Sequence, residues 1–215
     1  PICYLTGSTE TSAWVQYSNG NRNLCGNHLP DGMVKNQKFD RPILTPTTKS
    51  DVHDESISAK EILQRGLIDE KTWNRCEEAV FNLFERGTKM AAEHGLILVD
   101  TKYELGVDAD GAVTLIDELH TPDSSRYWLM DSYEDRLTHK MEPENIDKEF
   151  LRLWFKDHCD PYKDAVLPEA PKELVAELSS RYIKLYEMIT GKEFEIDTSE
   201  SIKDRMKKNL KGYVK

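Results

Sequence analysis

Residues 96–126, LILVDTKYELGVDADGAVTLIDELHTPDSSR, decide how the rest of the chain is read. The stretch opens as a strand, with Ile97, Val99, Tyr103 and Leu105 on one face and Leu96, Leu98, Asp100, Lys102 and Glu104 on the other. The second face is apolar and then charged, the pattern of a strand that leaves a core and enters a cleft. Asp110-Gly111 is a strong hairpin signal, read as a type I′ turn with φ > 0 at both central residues. With that loop Ala109 pairs with Ala112, and Glu104 stands directly opposite Asp117. Opposed side chains on one face have Cβ atoms about 5 Å apart, where like charges repel. Two carboxylates so placed call for a cation. Lys102 is near, and paired oxygen ligands also suit Mg²⁺, which usually binds one or two carboxylates plus substrate phosphates.

Charged residues on a strand are most often its solvated face, and the sequel tips the balance here. Thr121-Pro122-Asp123-Ser124-Ser125-Arg126 packs hydroxyls, a carboxylate and a guanidinium into one Pro-initiated loop. The fork of Arg126 suits a phosphate or a carboxylate. The whole reads as a site for a polyanion and its metal.

These residues also carry a family resemblance. VDTKYELG at 99–106 and LIDELHTPDSSRYW at 115–128 resemble the signature of the SAICAR synthetases (phosphoribosylaminoimidazole-succinocarboxamide synthases) of purine synthesis. YLTGS at 4–8, TPTTK at 45–49, HDESIS at 53–58 and SSRYIKLYEMITGKEF at 179–194 agree in order, so the likeness covers nearly the whole chain and is closest to plant and fungal members. The resemblance implies an α+β fold, a mixed or antiparallel sheet backed by helices, like the larger lobe of that enzyme. It implies an ATP-dependent ligase that joins L-aspartate to CAIR through an acyl phosphate, with Mg²⁺ and ATP. By the same likeness Glu104 and Asp117 would hold the metal, and Lys102 would meet nucleotide phosphate or the developing acyl phosphate, with Asp100 orienting it. Ser8, Lys49, Asp54 and Arg126 would bind CAIR or aspartate, with Asp123 and Ser125 supporting them. The role of His53 stays open.

The family's N-terminal lobe, with its glycine-rich loop over the ATP phosphates, has no counterpart, and no G-x-G-x-x-G or G-K-[ST] occurs. Ile2 stands where the family pattern has arginine. The expectation is therefore a single substrate- and nucleotide-binding unit over 1–215, a fragment of a two-lobed enzyme, ending in a helical tail at 196–215. A non-catalytic remnant that binds substrate or a partner is the alternative. Another ATP-using phosphotransferase is the second rival, against which stands the lack of H-R-D and D-F-G motifs.

A chain of 215 residues can bury one good core. Its net charge of −10 argues against a nucleic-acid surface, whereas Mg²⁺ and local cations would still admit an anionic nucleotide. Cys3, Cys25, Cys76 and Cys159 lie far apart with no CxxC, which points to reduced intracellular thiols rather than a zinc cluster or disulfide framework. No transmembrane run or signal peptide is legible, so a cytoplasmic protein is expected, or a plastid one if a targeting segment preceded Pro1. A homo-oligomer is compatible with this composition.

Elsewhere, 13–17 is read as strand and 131–134 as a polar loop near the site. Ser58 opens a short helix through a capping box, and Asp69 caps a long helix to about His94, burying Trp73, Cys76, Val80, Phe84 and Met90, with Gly95 as its stop. A helix is expected at 147–158. Another runs from Pro171 to Gly191, burying Leu174, Val175, Leu178, Tyr182, Leu185, Tyr186 and Ile189, and a last amphipathic one covers 199–210.

Overall fold

A computed structural model describes residues 1–48, 55–160 and 163–213. Along the chain come β1 (Ile2–Tyr4), α1 (Ala13–Ser18), β2 (Asn23–Leu24), β3 (Asn27–His28), β4 (Lys38–Ile43), α2 (Ala59–Gln64) and α3 (Glu70–Glu93). Then follow β5 (Leu96–Thr101), β6 (Leu105–Val107), β7 (Val113–Leu115), β8 (Ser125–Leu129), α4 (Met130–Thr138), α5 (Glu149–His158), α6 (Lys172–Thr190) and α7 (Ile202–Leu210). Four strands form one antiparallel sheet in the order β4-β1-β5-β8, and β2-β3 and β6-β7 are separate two-stranded ribbons. The fold is α+β, as the sequence reading expects. Pro42 lies in β4, an edge strand, where a residue without a backbone donor is tolerated.

β5 is the centre of this arrangement because its sequence can be buried on both faces. Leu96, Leu98 and Val99 are fully buried, and the register slips between Leu98 and Asp100, so the strict alternation of faces is broken there. Helix α3 packs along β5, and Phe84 and Ala91 from that helix join Leu185 of α6 and Tyr133 of α4 in one core. Tyr4, Trp128 and Tyr133 interlock within it, with ring centroids 5.1, 5.5 and 5.6 Å apart and two of the three pairs edge-to-face. A second cluster, built on Leu5, Ala13, Tyr17, Leu24 and Phe39, fills the space around α1 and the β2-β3 ribbon.

Local signals for helix ends are obeyed. Ser58 and Glu61 form the full capping box of α2, and the Asp69 carboxylate accepts the Thr72 N–H at the start of α3. Gly95 follows α3 with φ +71, a conformation glycine adopts without strain.

Three expectations are corrected. Residues 13–17 are helical: Ala13 and Tyr17, four apart, are the buried pair, and a five-residue pattern fits period 3.6 as well as period 2. Residues 131–134 belong to α4, because Tyr133 and Leu137 reach the core together from one helical face and Asp131 sits favourably in the first turn. Three helices bury less than expected, with Met90 of α3 and Val175 and Tyr186 of α6 all 40% or more exposed and α7 burying nothing. Among the described residues, no helix is long and apolar enough to cross a membrane.

Leu185 is the residue through which α6 is fixed to the main core, at 2% exposure. Leu185→Ala is expected to cost about 2–5 kcal/mol in denaturant unfolding. The exposed Val175→Ala should stay within about 0.5 kcal/mol.

A candidate anion site around Arg126

Register brings the charged residues together. In the β5-β8 pairing Asp100 faces Arg126 and Thr101 faces Ser125. The Arg126 guanidinium hydrogen-bonds Asp100 and also reaches Glu149 Oε2 at 3.4 Å. Glu149, at the first turn of α5, receives Arg152 at 2.8 Å and the Ser8 hydroxyl at 2.7 Å. Lys156, a turn further on, donates to the Ser8 carbonyl at 3.2 Å. Ser8 is presented by a tight turn in which Gly7 has φ +108 and a Cβ on Gly7 would overlap Ser12. Ser8 and Arg126, linked in sequence only through the family resemblance, thus meet through Glu149.

The electrostatics follow from burial and pairing. Arg126 is nearly buried; desolvation alone would lower its pKa, but Asp100 and Glu149 raise it above its usual value and keep the cation charged. Burial likewise works against the charged Glu149, and Arg126, the Ser8 hydroxyl and Arg152 outweigh it, holding that carboxylate below its usual range. Asp147 behaves in the opposite sense. It is 2% exposed, and burial pushes its carboxyl up to about 6, although it accepts the backbone N–H groups of Tyr127 at 2.8 Å and Glu149 at 2.7 Å. That double acceptance ties α5 to β8, which is why the helix starts at Glu149 and not at Asp147.

The other predicted residues fall nearby with different partners. Lys102 pairs with Glu104 at 2.6 Å, just beyond the end of β5. Asp123 accepts the Tyr182 hydroxyl at 2.9 Å and lies 3.8 Å from Lys148. Ser125 is 4% exposed and its hydroxyl donates to Thr101 at 2.8 Å, so it braces the strand pair that carries Arg126. Lys49, His53 and Asp54 lie outside the described residues.

The hairpin register is corrected by one residue. Leu105 pairs with Leu115 and Val107 with Val113, and Ile116 N–H donates to Glu104 O, so Glu104 is opposite Ile116 and not Asp117. The cause is Asp108, whose carboxylate accepts the N–H groups of Asp110 and Ala112 and so organises a three-residue loop ending at Gly111, φ +78. One added loop residue shifts the whole pairing.

Sequence reasoning missed Glu149 and Arg152. Their i, i+3 spacing in DKEFLR at 147–152 is the signal that was available, but nothing local shows that this turn faces Arg126.

A profile of the family described as SAICAR synthetase matches residues 3–169. The phosphoribosylaminoimidazole-succinocarboxamide synthase of Legionella pneumophila (strain Lens) is 54% identical over 212 residues, covering 98% of this chain and 68% of that protein. Among solved structures, the SAICAR synthase of Saccharomyces cerevisiae complexed with SAICAR superposes with a TM-score of 0.72 at 32% identity, over 91% of this chain and 60% of that one. A SAICAR synthetase in complex with ADP gives 0.57 at 26% identity, over 76% and 57%. The chain thus spans about three fifths of the solved structures it matches.

Glu149→Gln removes one of two carboxylates from a buried cation and is expected to cost about 3 kcal/mol at pH 7, near the lower end for breaking a buried pair because Asp100 remains. Glu149 has a depressed pKa, so its contribution is present above the ordinary carboxylate range and is lost as pH falls through the folded-state value. Unfolding curves of the two proteins should therefore converge on acidification below about pH 4. A gap that stayed constant to pH 3 would contradict the ion-pair assignment.

Proposed function

The chain belongs to the SAICAR synthetase family, and from that membership we propose that it takes part in ATP-dependent joining of L-aspartate to CAIR, with release of ADP and phosphate. The observation that carries this reading is the convergence of Ser8, Asp100, Arg126, Glu149 and Arg152 beside the end of β5. Immediately beyond it the chain turns into the segment bearing Lys102 and Glu104. The first group suits an anionic substrate and the neighbouring segment suits nucleotide phosphates.

The reaction asks little covalent chemistry of the protein. The CAIR carboxylate attacks the γ-phosphate, ADP leaves, and the aspartate amine then displaces phosphate from the acyl phosphate. The protein must align anions that repel one another and exclude water, which is work for fixed cations and short hydrogen-bonded turns. Ser8, Arg126 and Arg152, steadied by Glu149 and Asp100, are assigned to the CAIR side, with Lys49 and Asp54 by family likeness. Asp123, tied to Tyr182 and close to Lys148, supports the loop that presents Arg126. Lys102 is assigned to transferred phosphate.

By family likeness Glu104 and Asp117 are assigned to Mg²⁺, although the one-residue shift in register takes Asp117 off the position opposite Glu104. Among the described residues no cluster of three or more His, Cys, Asp or Glu could hold a metal, but Mg²⁺ characteristically uses one or two carboxylates and takes its remaining ligands from phosphates and water. Nearby, burial and then Asp123 and Asp117 raise the Glu118 carboxyl above its usual range, with Lys148 and Lys102 acting the other way. When bound, the ion would neutralise nucleotide phosphate charge. On this reading residues 1–215 act as one substrate- and nucleotide-binding unit, with 196–215 as a helical tail.

The test is ADP release that requires CAIR, aspartate and Mg²⁺ together, measured for this chain and for a version extended to the length of its relatives. Glu104→Gln and Asp117→Asn should each reduce turnover by about 100-fold or more, the scale of losing one electrostatic stabiliser, with unchanged circular dichroism. Near-normal activity of Asp117→Asn at limiting Mg²⁺ would remove that residue from the metal site.

A further inference from the structure

The β6-β7 ribbon is not part of the main sheet. An isolated two-stranded hairpin is at best marginally stable in water, yet this one follows directly on Lys102 and Glu104. Something must set its direction relative to β5 and β8. Arg75 of α3 touches its tip, donating to the Gly111 carbonyl at 3.2 Å, but at an exposed position. The stronger fixture lies at the base.

There the His120 ring is seated on the backbone of α3 at Gly87. A Cβ on Gly87 would stand 2.7 Å from Nδ1, 2.8 Å from Nε2 and closer still to Cε1, so no side chain fits while the ring is in place. The ring hydrogen-bonds the Tyr103 hydroxyl through Nε2. Its backbone is fixed independently: His120 has φ +56, unusual outside glycine, and its carbonyl accepts the buried Tyr127 hydroxyl at 2.9 Å. Burial lowers the pKa of the ring, which favours the neutral form that can accept from Tyr103.

Tyr103 stands between Lys102 and Glu104. In an extended segment successive side chains point to opposite sides. Holding Tyr103 against His120 and α3 therefore turns Lys102 and Glu104 to the other side, where their charged ends meet at 2.6 Å. We propose that His120 is a positioning residue which, wedged on Gly87 and bonded to Tyr103, sets the direction of the Lys102–Glu104 segment and of the hairpin beyond it. The inference deepens the functional reading above and rests on it only where it concerns catalysis.

The test uses Tyr103→Phe, which deletes the hydroxyl and keeps the ring, and Gly87→Ala, which displaces His120 while installing a better helix former. Hydrogen exchange is followed at Leu105–Val107 and Val113–Leu115, and at Leu96–Thr101 and Ser125–Leu129 as the reference. Hairpin amides should exchange about 3- to 10-fold faster in Tyr103→Phe, the scale of one lost hydrogen bond, and faster in Gly87→Ala, with the reference strands unchanged in both. Unchanged hairpin exchange, or equal acceleration of both sets, overturns the proposal, the second because it shows only general destabilisation. In turnover assays both variants should raise KM for MgATP and lower kcat while leaving KM for CAIR within about twofold, since the Arg126 site stands on the reference strands. A rise in KM for CAIR alone also overturns it. If neither this chain nor the version extended to the length of its relatives binds MgADP or turns over, the ligase reading fails, and the exchange measurement still decides whether His120 fixes the hairpin.

Discussion

Arg126 is a cation with a side chain only 15% exposed between two carboxylates, and the geometry around β5 and β8 keeps it paired. A guanidinium taken out of water carries a desolvation penalty that its partners must offset through close, well-directed hydrogen bonds. Asp100 is supplied by cross-strand register and Glu149 by the start of α5. Asp147 fastens that helix to β8 by accepting one N–H from each. Ser8 and Arg152 then complete the coordination of Glu149. Remote segments are thus joined by one charge.

The same arrangement gathers cations locally in a chain of net charge −10. Arg126 and Arg152 meet at Glu149, which also accepts the Ser8 hydroxyl, and Lys156 donates to the Ser8 carbonyl. Fixed orientation matters as much as sign. Ser125 contributes no exposed hydroxyl, but its bond to Thr101 stiffens the strand pair from which Arg126 projects.

Beyond the end of β5 the structure changes character. Strand β5 is packed on both faces, whereas the β6-β7 ribbon lies outside the main sheet and is held at its base and tip. Gly87, which a helix would ordinarily do better without, sits where an imidazole ring needs the space of its absent side chain. Such a position breaks a local preference to serve a longer-range fit.

Much of this was legible from residues alone. The apolar strand start at 96–99, the capping residues Ser58 and Asp69 and the stop at Gly95 carry their structural meaning locally, because strands, helix ends and turns depend on near neighbours. So did the family likeness, which rests on contiguous motifs. The hairpin register was not legible, since Asp108 and not Asp110 organises the loop, and a single residue there moves every pair. Residues 13–17 and 131–134 were too short for periodicity to separate helix from strand or loop. Glu149, Arg152, and the seat of His120 on Gly87 were decided only by tertiary structure. Glu149 and His120 join segments more than 20 residues apart, and which distant side chains will share a charge or a vacant Cβ depends on packing that no local pattern records.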